Sequence, residues 1–89
     1  MNPIAKMWRD DRAPDELMMV TLYAKPLDYP NGCVLRPTYT SAGRTRAHSQ
    51  ALYMTDLREA FAFMLEEFSD LCPLPRQEGD EPQIVGTWI

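Results

Sequence analysis

With 89 residues, 45% apolar side chains and a net charge of −4, the chain reads as one globular domain rather than a disordered segment, and its size excludes a second core. No apolar run approaches the roughly 18 residues of a membrane span, and Asp10, Asp11, Asp15 and Glu16 interrupt any basic-then-apolar leader. A cytoplasmic protein with no membrane attachment is therefore expected.

The charge is uneven along the chain. Residues 36–48 carry Arg36, Arg44 and Arg46 without a carboxylate, whereas residues 56–82 carry eight acids against Arg58 and Arg76. Such asymmetry bears on partners and solubility, not on fold.

In chain order, residues 1–17 show no sustained period. Ile4, Met7 and Trp8 fall at helical spacing, but Asp10, Asp11 and Pro14 break it early. The segment is expected to be an extension that drapes these three side chains over the core or frays as a tail. The single domain then covers residues 18–89. Residues Met18 to Lys25 alternate, with Met18, Val20, Leu22 and Ala24 on one face, which is the pattern of a strand that ends before Pro26. Asn31-Gly32 supplies a turn, and a second strand follows from Cys33 to about Thr40. Pro37 lacks an N–H and so predicts a sheet edge or a bulge there. Residues 41–50, SAGRTRAHSQ, read as a basic loop, and residues 51–54 as a short third strand.

A helix then begins at Asp56, with Glu59 three positions on as a capping box. At about 100° per residue, Leu57, Ala60, Phe61, Met64, Leu65, Phe68 and Leu71 gather into one apolar stripe. Pro73 and Pro75 hold the next residues extended. An acidic turn leads to the last strand, residues 83–89, which is apolar on both faces and so expected inside the sheet. The expected fold class is α+β, in the order β-β-β-α-β. It is a mostly antiparallel four-stranded sheet with one helix across a face. If the third and last strands are neighbours, that helix makes a right-handed crossover between them.

From Met19 onward this layout resembles a loose group of short bacterial and phage-associated proteins of uncharacterised function. The resemblance rests on the helix opening at Asp56, Leu57, Arg58 and Glu59, on Pro75-Arg76, on residues 79–82 and on the closing Ile84, Val85, Trp88 and Ile89. It implies the same fold and assigns no activity.

Three sets of residues are candidate sites. Phe63 projects away from the stripe, among Glu59, Glu66, Glu67 and Asp70. Leaving a Phe in water forgoes about 1.5–3 kcal/mol, so either residues 1–17 cover it or it anchors a partner protein, rimmed by carboxylates that suit a basic surface. Arg44, Arg46 and His48 offer an alternative phosphate or nucleic-acid contact, although the P-loop glycine spacing is missing. Catalysis is not expected. His48 and Ser49 are adjacent and so poorly placed to act on one another, and the acids near residues 70–81 belong to solvated turns. Cys33 and Cys72 read as thiols, and with one histidine and no paired ligand spacing, neither a metal nor a cofactor is expected. The reading is a small non-enzymatic protein-binding module, in the manner of a phage-type inhibitor or adaptor, with self-association through the Pro37 strand or the Phe63 face as a compatible variant.

Overall fold

A computed structural model describes residues 2–89. Its elements are α1 (Pro3–Asp11), β1 (Leu17–Ala24), β2 (Cys33–Ser41), β3 (Arg44–Ala47), β4 (Leu52–Met54), α2 (Leu57–Glu67), β5 (Pro73–Pro75) and β6 (Ile84–Trp88). The fold is α+β, with six strands and two helices among the described residues in place of the expected four and one. The sheet is open and wholly antiparallel, in the order β3-β2-β1-β6-β5, with β4 also paired to β2.

The β1–β2 register sets Met18 opposite Tyr39, Val20 opposite Pro37 and Leu22 opposite Leu35. One face thereby collects Met18, Val20, Leu22, Cys33, Leu35 and Tyr39, and these join Ala5, Trp8, Ala60, Met64, Phe68 and Trp88 in a single core. Both helices lie on this face. The opposite face carries no helix among the described residues and is built from half-buried Met19, Thr21, Thr38, Thr40 and Thr87 around buried Val34.

Residues 2–17 are not a frayed tail: as expected of a draping segment, Ile4, Met7 and Trp8 pack on the core, but they do so from a regular helix. Asn2 caps α1 by accepting from the Ile4 and Ala5 N–H groups, and Pro3 takes the first helical position, where its missing N–H costs nothing. Trp8 and Ala5 are fully buried, so α1 belongs to the core.

Pro37 lies in a central strand rather than at an edge. β2 is flanked by β1 on one side and by β3 and then β4 on the other. The β3 ladder ends at Thr38 and the β4 ladder begins at Leu35, so residues 48–51 bulge out beside Pro37. The Pro37 carbonyl accepts from the His48 N–H at 3.0 Å on that side, where the ring's missing donor is not needed. The basic stretch is also more regular than a loop. Ala42 and Gly43 have φ of 46° and 80°, forming a tight hairpin turn into β3. Finally, β6 is internal, as its two apolar faces predict, but its neighbours are β1 and β5, not the third strand. α2 therefore carries the chain from the β4 edge to the β5 edge, and no parallel pair exists among the described residues for a right-handed crossover.

Candidate interaction surface

The Asp56 carboxylate caps α2 by accepting from the Arg58 N–H at 2.8 Å, and that bond holds its pKa below the ordinary value. The reciprocal Glu59 bond of a capping box does not form among the described residues. The Phe68 N–H donates to the Met64 carbonyl at 2.9 Å and closes the helix.

Only part of the seven-residue stripe is buried, and Leu71 packs beside it against the core. Ala60, Met64 and Phe68 are at most 1% exposed, but Leu57, Phe61 and Leu65 are 38, 46 and 75% exposed. Phe63, projected into the acidic face, is instead half-buried against the core. The helix is thus rolled towards Phe63 by most of one residue's step of about 100°. The cause is α1. Its Trp8 ring stands edge-on to Phe63 at 5.8 Å and stacks on Phe68 at 6.0 Å, and its indole N–H donates to the Gln50 carbonyl at 3.0 Å. Burying an indole outweighs what Leu57 and Leu65 would gain by turning inward.

Two of the candidate acids hold α1 in place. Glu67 accepts from the Asn2 N–H at 2.9 Å, and its carbonyl accepts from Arg9 at 2.9 Å. Asp70 takes two further bonds from Arg9, at 2.6 and 3.0 Å, which depress its carboxyl pKa. Phe63, Glu67 and Asp70 therefore form the seat of the first helix. Glu59 and Glu66 stay exposed and have no side-chain partner among the described residues.

The basic candidates are drawn apart in the same way. Arg46 lies over the Tyr39 ring at 4.4 Å and donates to Asp11 and to both Glu16 oxygens. Its hydrogen bonds, helped by the Ala13 N–H, hold the Glu16 carboxyl down to about 2. The His48 Nδ1 lies 2.9 Å from the Gln50 backbone nitrogen, and its Nε2 lies 3.7 Å from Asp11. The Tyr39 hydroxyl donates to the Trp8 carbonyl at 2.7 Å, and burial pushes its pKa up to about 12. Only Arg44 is left exposed with no side-chain partner among the described residues.

What remains unoccupied is the outer face of α2. Leu57, Phe61 and Leu65 repeat at i, i+4 and i+8 and make one line along it. Phe61 stands edge-on over Trp88 at 5.8 Å, and the β5–β6 register sets Pro73 beside Trp88. Arg58 and Glu66 lie on one flank of the line, both exposed. No group of three or more His, Cys, Asp or Glu residues could hold a metal ion among the described residues. The surface is suited to apolar contact, oriented by a few charges. The sequence carried both signals needed to find it. Asn2-Pro3 announces a first helix, and a stripe seven residues wide is more than one helix hides once a second shares the sheet.

Comparison with protein-family models, with curated proteins and with solved structures finds no match.

Proposed function

We propose that this chain is a non-enzymatic protein-docking module whose contact surface is the outer face of α2. The observation behind this reading is the line Leu57, Phe61 and Leu65 standing in solvent on a helix whose other flank is fully used. Burying a leucine as exposed as Leu65 is worth about 1.5–2 kcal/mol to a complex, and an aromatic beside it is a typical anchor. Arg58 and Glu66 supply the charged rim. In place of Phe63, the aromatic available to a partner is Phe61.

Immobilised wild-type chain, a Leu65→Glu variant and a Glu78→Lys surface control provide the test. Proteins retained by the wild type and the control, further copies of the chain included, should be lost from Leu65→Glu. Equal retention by all three would overturn the reading. The nucleic-acid alternative loses its support, because Arg46 and His48 face Asp11 and Glu16, which leaves Arg44 to act alone.

A further inference from the structure

We infer that the occupant of the α2 face is a second copy of the same chain, bound as a two-fold symmetric antiparallel helix pair. This rests on the docking reading above and names its partner. The face is complementary to itself. About a two-fold axis through Phe61, each Phe61 meets its own copy and Leu57 of one chain meets Leu65 of the other. The two leucines are equally spaced on either side of Phe61, so one apolar line fits its own reverse.

The flanking charges obey the same symmetry. Arg58, Ala62 and Glu66 are all exposed and share one flank of the line. The axis keeps that flank on the same side while reversing its direction. Arg58 of one chain is thereby carried next to Glu66 of the other, within about two residues' rise along the helix, and the contact occurs twice. Ala62 meets its own copy between them, where a small side chain lets the helices approach. Glu59 falls outside the contact and stays solvated.

Arg58 is available for this role. Its side chain is 92% exposed, and its one ion pair, to Asp56, is a long contact of 3.3 Å, of a kind that contributes little. An 11-residue helix is about 16 Å long. Two of them, even with the Pro73 margin, lie at the low end of specific interfaces. The dimer is consequently weak and concentration-dependent.

Sedimentation equilibrium from about 10 µM to about 1 mM measures this directly. The wild type should pass from monomer to dimer across the range, and Leu65→Glu should remain monomeric. Arg58→Glu and Glu66→Arg should each lose at least tenfold in association when alone, because each sets like charges opposite themselves. Mixed in equal amounts, they should pair again, since each then meets the opposite charge at both contacts. A wild type that stays monomeric at about 1 mM, a dimer that survives Leu65→Glu, or charge-swapped chains that fail to rescue one another would overturn the inference. If the wild type is monomeric while Leu65→Glu still loses a captured protein, the second copy is wrong and the docking face stands. If nothing is lost in either experiment, both fall.

Discussion

Arg9 closes on Asp70 through two hydrogen bonds of 2.6 and 3.0 Å, while its guanidinium lies over the Phe68 ring at 4.5 Å. This one contact ties the second turn of α1 to the chain just beyond α2, across 61 residues of sequence. It fixes the flank on which Trp8 docks, and so decides which side of α2 is left to solvent.

Trp8 should therefore carry much of the stability of this small domain. Trp8→Ala removes a fully buried indole and is expected to cost about 3–5 kcal/mol in urea unfolding. Trp8→Phe, which loses chiefly the hydrogen bond to Gln50, should cost less. A Trp8→Ala chain as stable as the wild type would mean that α1 is not part of the core.

Acid should weaken the same framework. Glu16 titrates near 2 in the folded chain against an ordinary 4.5, and Asp70 is also lowered by Arg9. A depressed folded pKa favours the folded state fully above the unfolded value, and that contribution fades as the pH falls through the folded one. Urea midpoints should hold above about pH 5 and then decline towards pH 2. Glu16→Gln should flatten the decline, and an unchanged slope in that variant would contradict the Arg46–Glu16 link.

The two thiols should behave differently. Cys33 is buried, and burial, with Asp56 and Glu59 nearby, pushes its pKa up, whereas Cys72 is exposed. A thiol reagent at pH 8 should modify Cys72 quickly in the native chain and reach Cys33 only on unfolding. Equal rates would show that the β2 side of the core is open.

Strand periodicity made much of the sheet legible. The alternation in residues 18–24 and the doubly apolar last strand placed β1 and β6 correctly, because a period of two depends only on neighbours along the chain. Legibility stopped where two segments compete for one surface. Phe63 looked stranded among the acids of its own helix, and of the two explanations its sequence allowed the cover from residues 1–17 is the one observed, through Trp8, 55 residues earlier. Leu57 and Leu65 looked buried because a helical wheel cannot say how wide a strip the sheet accepts. Pro37 signalled an irregular ladder, and the interruption between β3 and β4 supplies it inside the sheet rather than at an edge. Arg46 and His48 looked available because Asp11 and Glu16 approach them only through the tertiary fold.

The roll of α2 is the centre of the account, and Phe63→Ala set beside Leu65→Glu measures it most directly. Thermal or urea unfolding together with sedimentation at high concentration should separate the two. Phe63→Ala is expected to lose about 1–3 kcal/mol of stability while its folded fraction still associates. Leu65→Glu is expected to stay within about 0.5 kcal/mol of the wild type and to lose association. The opposite pairing, with Leu65→Glu unfolding the chain and Phe63→Ala abolishing association in a stable one, would place the surface on the other flank and contradict the account.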